Sequence, residues 1–222
     1  MSNNSVPIFG TFPGYIEGSA ASGITVNLIY DYMCSDCLAE NPVIEELMKA
    51  EFQDGTVSDY IQFTYTSFPL PYHVHAYQVN QLVPFFMDLC IESASTCFND
   101  SYRDFSFANQ STILGMKDTS QNDFIDWWSG QVASEFNLEK SLVLSAYDYA
   151  SPYSTDSSQR DFLKFAWARG VTGTPFAFVN QVKLDSVPTD VDGWLNVLNS
   201  VYNSQYRPTT HRRISYHNMF LD

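Results

Sequence analysis

The sequence has few basic residues and no long hydrophobic run. Its 222 residues include 11 lysines and arginines against 25 aspartates and glutamates, which gives a formal charge of −14. Such an acidic surface argues against a nucleic-acid partner and against an anionic membrane surface. No apolar run approaches the roughly 20 residues of a membrane-spanning helix. There is also no internal repeat or low-complexity segment. The amino-acid composition is that of a globular protein.

The sequence begins without a recognisable signal peptide, because residues 1–5 are polar. The protein is therefore expected either to be cytosolic or to begin after a removed leader. Three acceptor sequences for N-glycosylation, at Asn3, Asn99 and Asn109, fit a eukaryotic secretory protein. Chance explains them equally well in a chain rich in serine and asparagine.

Cysteine is scarce, and the four present fall into two pairs of different spacing. Cys34 and Cys37 form a C-x-x-C. The run before them, residues 24–30, is short, β-branched and mostly apolar, which predicts a buried strand. The run after them, residues 38–52, has apolar residues at helical spacing. The two cysteines are therefore expected where a strand ends and a helix begins.

That position suits a reactive thiolate. The first turn of a helix has N–H groups without an intrahelical partner, and the helix dipole places partial positive charge there. The pKa of such a cysteine can lie well below about 8.5. Cys34 is expected to stay exposed and attack, while Cys37 turns inward and resolves the mixed disulfide. Ser35 and Asp36 are candidates for tuning this pKa, and the charge of Asp36 should raise it.

The rest of the chain predicts a parallel sheet interrupted by helices. Residues 60–67 alternate like a strand and complete a right-handed βαβ unit with residues 24–30. Strands are also predicted at 176–180 and 182–184, with an edge strand around Pro7 to Phe12. The predicted helices are 74–92, 97–106, 121–136, 138–148, 156–169 and 191–204.

Aromatic residues between 121 and 169 are expected to form the core of the helical block. They are Phe124, Trp127, Trp128, Phe136, Phe162, Phe165 and Trp167. For some of them, a peptide-binding groove is the alternative interpretation.

Three features together resemble the DsbA-like branch of the thioredoxin superfamily. The first is strand, C-x-x-C and helix, and the second is Pro42, where such proteins often kink this helix. The third is the segment 170–180, whose Thr174 and Pro175 look like the family's loop with a cis proline before a strand. Residues 68–73, Phe-Pro-Leu-Pro-Tyr-His, are similar to a segment of eukaryotic DsbA-like proteins. The resemblance covers about residues 22–204.

The resemblance implies an α/β protein, a thioredoxin-like fold with an inserted all-helical subdomain. Residues 22–70 with 170–204 would form the thioredoxin-like domain and 71–169 the helical insertion. Residues 1–21 would be an N-terminal arm and 205–222 a basic C-terminal tail.

The resemblance also implies a thiol–disulfide oxidoreductase that acts on protein or peptide disulfides. Cys34 would attack, Cys37 would resolve, and the main chain of Thr174 beside Pro175 would bind an extended substrate segment. The redox-active disulfide itself would carry the electrons, with no organic cofactor and no metal. The protein is expected to be a monomer in the secretory pathway lumen or another extracytoplasmic compartment, with its leader removed.

Two departures from the family pattern bear on activity. Leu28 stands where many members have a buried carboxylate, and Asp36 replaces the histidine of strongly oxidising members. The missing carboxylate at Leu28 predicts slow resolution by Cys37, and the charge of Asp36 predicts a pair that is less oxidising than DsbA. They also leave open a second hypothesis, a thioredoxin-fold binding protein with weak or no catalysis. A third and disfavoured hypothesis is a metal carrier using the C-x-x-C cysteines with His73 or His75.

Cys90 and Cys97 are candidates for a structural disulfide. Seven residues of continuous helix would separate them by about 10.5 Å along the helix axis. A disulfide needs Cα atoms within about 7 Å. The pair can therefore form only if the helix breaks between them, and residues 93–96 are the expected break. The alternative is two buried free thiols.

Overall fold

The computed structural model describes residues 8–9, 12–93 and 97–206. Within these ranges the strands are β1 (Tyr15–Gly18), β2 (Ile24–Tyr30), β3 (Glu51–Phe52), β4 (Gly55–Thr56), β5 (Ile61–Ser67), β6 (Phe176–Val179) and β7 (Val182–Lys183). The helices are α1 (Ser35–Lys49), α2 (Val57–Tyr60), α3 (Ala76–Glu92), α4 (Asn99–Ala108), α5 (Gln110–Gly115), α6 (Gln121–Phe136), α7 (Lys140–Ser145), α8 (Asp156–Ala168) and α9 (Val191–Tyr206).

The main sheet has the strand order β1-β5-β2-β6-β7. β2 and β5 are parallel, in register from Ile24 opposite Ile61 to Tyr30 opposite Ser67, and α1 connects them as the predicted crossover. β6 runs antiparallel to β2, with Phe176 opposite Ile29. The segment that precedes β6 is therefore brought to the edge of the sheet where β2 ends. This edge is where the C-x-x-C lies.

Helices α3 to α8 lie between β5 and β6 in the sequence, as the inserted helical block predicts. α8 packs against both β5 and α3, and α6 packs against α7. Phe124 and Trp128 are fully buried in the main hydrophobic core. These features confirm the predicted fold class, while the domain boundaries stay a prediction.

Of the aromatic residues predicted for the core, Trp127 and Phe165 are only partly buried, and Trp167 is exposed. The side chain of Trp167 is 60% exposed. α8 turns its other face, with Leu163 and Ala166, toward a small cluster against β2 and β6. Trp167 instead lines a cavity of about 400 Å³ together with Pro69.

The edge strand is also placed differently from the prediction. Of the stretch from Pro7 to Phe12, the structure describes residues 8, 9 and 12, and none of them is in a strand; the others lie outside the described residues. The edge strand is β1, which pairs antiparallel with β5 from Tyr15 opposite Tyr65. Gly14 precedes it at φ 141°, where a Cβ atom would collide with the main-chain carbonyl of Tyr65. This close approach requires glycine.

Cys90 and Cys97 form a disulfide, with their Cα atoms 4.2 Å apart. α3 ends at Glu92, and Ser93 has an extended backbone at φ −157° and ψ 129°. Residues 94–96 of the predicted break lie outside the described residues. The disulfide joins the end of α3 to the segment that enters α4.

Candidate active site

Cys34 and Cys37 occupy the start of α1. Cys34 is the N-cap residue, with an extended backbone at φ −86° and ψ 126°, and Cys37 lies in the first turn. Both are free thiols. The expectation that Cys34 stays exposed is wrong, because it is only 5% exposed, and Cys37 is fully buried. Helix α5, which the sequence did not predict, contributes to this packing through Gln110, whose Nε2 donates to the main-chain oxygen of Cys34 at 3.0 Å.

The loop before β6 lies directly against Cys34. The Thr174–Pro175 peptide bond is cis. The Cys34 thiol donates a hydrogen bond to the main-chain oxygen of Thr174 at 3.3 Å. The hydroxyl oxygen of Thr174 is buried and has no hydrogen-bond partner within the described part of the chain, so it is available to a thiolate, whose pKa it lowers.

The pKa values of the two cysteines are shifted in opposite directions. The pKa of Cys34 is lowered to about 6, chiefly by a hydrogen bond from the Cys37 thiol and also by Thr174 and the N–H groups of Cys37 and Asp36, against the opposing effect of burial. Burial raises the pKa of Cys37 well above its usual value, and the adjacent Cys34 thiolate raises it further. The pair therefore contains one thiolate and one thiol near neutral pH.

That the Asp36 charge raises the pKa of Cys34 stays a prediction, because this charge is not among the main influences on that pKa. Asp36 acts on the Cys34 thiolate through its main-chain N–H group, which lowers the pKa. Asp36 and Ser35 are both exposed, so solvent screens the carboxylate charge. The proposed tuning role of Ser35 stays a prediction.

A buried carboxylate lies near the pair at a position that the sequence analysis missed. Leu28 is buried in β2, as expected of an apolar residue there. Glu40, one turn after Cys37 on α1, is 5% exposed and accepts a hydrogen bond from Trp194 Nε1 at 2.9 Å. Burial raises its pKa to about 7. Its spacing from Cys37 and Ile44 places it on the buried face of the helix, a signal that helical periodicity carries.

Glu40 also borders a cavity of about 300 Å³ beside the cysteine pair. The cavity is lined by Asp36, Ala39, Glu40, Pro175, Val187 and Thr189. It therefore joins the N-terminal turns of α1 to the loop that carries the cis proline.

A second buried carboxylate lies at the end of β2. Asp31 is fully buried, and its Oδ2 atom lies 2.6 Å from Nδ1 of His73. His73 ends the 68–73 segment and is a candidate ligand of the disfavoured metal hypothesis. Within the described residues, no group of three or more His, Cys, Asp or Glu side chains is placed to hold a metal ion. The described helices include none with the length and apolarity needed to cross a membrane.

Solved structures of DsbA and related proteins share this architecture. The structure of Pseudomonas aeruginosa DsbA2 matches with a TM-score of 0.62 and 19% identity, over 90% of this chain and all of that one. Chlamydia trachomatis DsbA matches with a TM-score of 0.57 and 11% identity, over 90% of this chain and 98% of that one. Oxidised BdbD from Bacillus subtilis matches with a TM-score of 0.54 and 17% identity, over 85% of this chain and 92% of that one.

These matches confirm the DsbA-like thioredoxin fold, and at such identities they show the fold alone. No protein-family model and no curated protein matches the sequence. The narrower resemblance to eukaryotic members stays a prediction.

Proposed function

We propose that this protein is a thiol–disulfide oxidoreductase that acts on protein or peptide disulfides. The observation that carries the proposal is the asymmetry of the cysteine pair. Cys34 caps α1, contacts the Thr174 loop and has a pKa of about 6, while Cys37 is fully buried with a raised pKa. Thiol–disulfide exchange needs one thiolate that attacks and a second thiol that stays protonated until it resolves the mixed disulfide.

The exchange proceeds in two displacements. The Cys34 thiolate attacks one sulfur of a substrate disulfide; a new S–S bond forms, the substrate bond breaks, and the leaving sulfur takes up a proton. Cys37 then loses its proton and attacks the Cys34 sulfur, which releases the second substrate sulfur. The substrate gains two electrons and two protons, and Cys34–Cys37 becomes a disulfide. The reverse sequence oxidises a substrate dithiol.

The substrate segment is proposed to lie along the loop that contains Thr174 and Pro175. This loop contacts Cys34 on one side and borders the cavity of about 300 Å³ on the other. An extended peptide that pairs with main-chain groups here would place its disulfide beside the Cys34 sulfur.

We also propose that the pair is less oxidising than DsbA. A pKa of about 6 for Cys34 lies above the value of about 3.5 for DsbA and near the value of about 7 for thioredoxin. A less stabilised thiolate means a less stabilised reduced form, and hence a more reducing pair. Measuring the equilibrium of Cys34 and Cys37 with glutathione tests this proposal, and a potential near −120 mV, the approximate DsbA value, would contradict it.

An extracytoplasmic location remains our proposal for this chain. The Cys90–Cys97 disulfide supports it, because such bonds persist mainly in oxidising compartments. A monomeric state stays a prediction.

The decisive experiment for the activity is insulin reduction by the reduced protein with dithiothreitol as electron donor. We expect turnover that Cys34→Ser abolishes, and a trapped mixed disulfide with substrate in Cys37→Ser. Wild-type turnover no faster than dithiothreitol alone would instead support the hypothesis of a binding protein that retains the fold.

A further inference from the structure

Asp31 organises two separate segments beside the cysteine pair. Its Oδ2 atom accepts hydrogen bonds from His73 Nδ1 at 2.6 Å and from the Leu70 N–H group at 3.0 Å. Its Oδ1 atom accepts from the Met33 N–H group at 2.9 Å and from Asn80 Nδ2 at 2.8 Å. Both carboxylate oxygens are therefore satisfied by donors, although the residue is fully buried.

Asp31 also stabilises the turn of the main chain that leads into Cys34. The main-chain oxygen of Asp31 accepts the Cys34 N–H group at 3.0 Å, while its side chain accepts the Met33 N–H group. One residue thus holds the turn that ends at Cys34 through its main chain and the ring of His73 through its side chain. The positions of His73 and Cys34 are consequently set by a common, rigid support.

The surroundings of His73 favour its protonated form. Its side chain is 20% exposed, and the Tyr72 ring packs edge-on against it at 4.8 Å. The hydrogen bond to Asp31 raises the pKa of His73, and the charges of Asp31 and Cys34 raise it further, against the opposing effect of burial. Asp31 therefore contacts the ring, Tyr72 packs at its edge, and the Cys34 thiolate acts on it through its charge.

We propose that His73, held by Asp31, is the cationic partner of the Cys34 thiolate, with Asp31 as a positioning residue. This inference rests on the proposed function and deepens it. The positive charge comes from the loop between β5 and α3, far from the C-x-x-C in the sequence.

The pairing links protonation to redox state. Reducing the Cys34–Cys37 disulfide with two electrons and one proton gives a Cys34 thiolate and a Cys37 thiol. The new thiolate then favours a proton on His73, and by reciprocity the imidazolium favours the thiolate. Oxidation removes the thiolate, so the affinity of His73 for its proton falls.

The first test follows the His73 ring by NMR during pH titrations of the reduced and the oxidised wild-type protein. We expect the His73 titration midpoint to lie higher in the reduced protein by about half a pKa unit or more. His75 is the internal control, because its ring stacks on Phe124 and bonds the main-chain oxygen of Met116 instead. The same His73 midpoint in both redox states would overturn the proposal, and no variant is needed to see it.

The second test compares the rate of Cys34 alkylation by iodoacetamide in wild type, His73→Gln and His75→Asn. Gln can still donate to Asp31 but carries no charge, and Asn tolerates the left-handed backbone of His75 at φ 56°. We expect His73→Gln to react about 3 to 10-fold more slowly at pH 6, with the difference vanishing at alkaline pH where the thiol ionises unaided.

His75→Asn should react within about twofold of wild type at both pH values. An unchanged rate for His73→Gln at pH 6 would refute the pairing. Failure of the proposed function would look different, because wild type would then not reduce insulin although its alkylation still depended on His73.

Discussion

The Cys34 sulfur lies 3.3 Å from the main-chain oxygen of Thr174, a residue 140 positions further along the chain. The antiparallel pairing of β6 with β2 makes this contact possible, since it brings the start of one strand to the end of the other. Thr174 also contributes a buried hydroxyl that stabilises the thiolate. A loop remote in sequence therefore takes part in setting the reactivity of Cys34.

Replacing the Thr174 hydroxyl should weaken the thiolate. Thr174→Val keeps the β-branched shape and removes the donor, so we expect a higher pKa for Cys34 and alkylation about 3 to 10-fold slower at pH 6. Thr174→Ser keeps the hydroxyl and is the matched control. Equal rates for the two variants would show that the hydroxyl does not act on Cys34.

Removing the Cys37 thiol should have a larger effect, because its hydrogen bond is the main cause of the lowered pKa of Cys34. In Cys37→Ala we expect that pKa to rise by about one unit or more, measured from thiolate absorbance at 240 nm. Cys37→Ser retains a hydroxyl donor and should show a smaller rise. A rise of equal size in both variants would argue against hydrogen bonding as the cause.

Glu40 should make the protein less stable as the pH rises. Its pKa of about 7 in the folded state lies above the value of about 4.3 expected for the unfolded chain. Protonation therefore favours folding; this contribution is fully present below about pH 4.3 and is lost as the pH rises through about 7. Glu40→Gln stays neutral and can still accept from Trp194.

The free energy of unfolding of Glu40→Gln should match wild type at about pH 4 and exceed it by about 1 to 3 kcal/mol at about pH 8. Urea denaturation at both pH values measures this. Glu46→Gln, at an exposed position of the same helix, is the control and should stay within about 0.5 kcal/mol of wild type. A pH-independent difference for Glu40→Gln would contradict the assignment.

Two tryptophans of the helical block should differ sharply in their contribution to stability. Trp128 is fully buried and donates from Nε1 to the Tyr102 hydroxyl at 3.2 Å, whereas Trp167 is 60% exposed. We expect Trp128→Ala to lower the free energy of unfolding by about 3 to 5 kcal/mol and Trp167→Ala by less than about 1 kcal/mol. Comparable losses in both variants would place Trp167 in the core after all.

Much of the fold follows from local sequence signals. The strand at 24–30 has the predicted bounds, because a short β-branched apolar run between turns has few alternatives. The helix at 121–136 also has its predicted bounds, with Ser120 accepting a hydrogen bond from the Asp123 N–H group as N-cap. Helix α5 was missed, since six residues give too little periodicity to detect.

For the candidate site too, some features could be predicted from the sequence and others could not. The C-x-x-C between a strand and a helix is a local pattern, so the sequence alone located Cys34 and Cys37 and indicated their chemistry. The contribution of the Asp36 main-chain N–H group to the pKa of Cys34 could not be predicted, because it depends on which groups of that residue face the sulfur and which face water.

The sequence by itself determined the central strands, most of the helices and the position of the two cysteines, since each depends on residues adjacent in the chain. Tertiary structure alone decided that Thr174 contacts Cys34, that Glu40 is buried against Trp194 and that Asp31 holds His73. The physical reason is that pKa values respond to burial and to charges and donors a few ångströms away. Those neighbours come from elements far apart in sequence, which only the packed fold brings together.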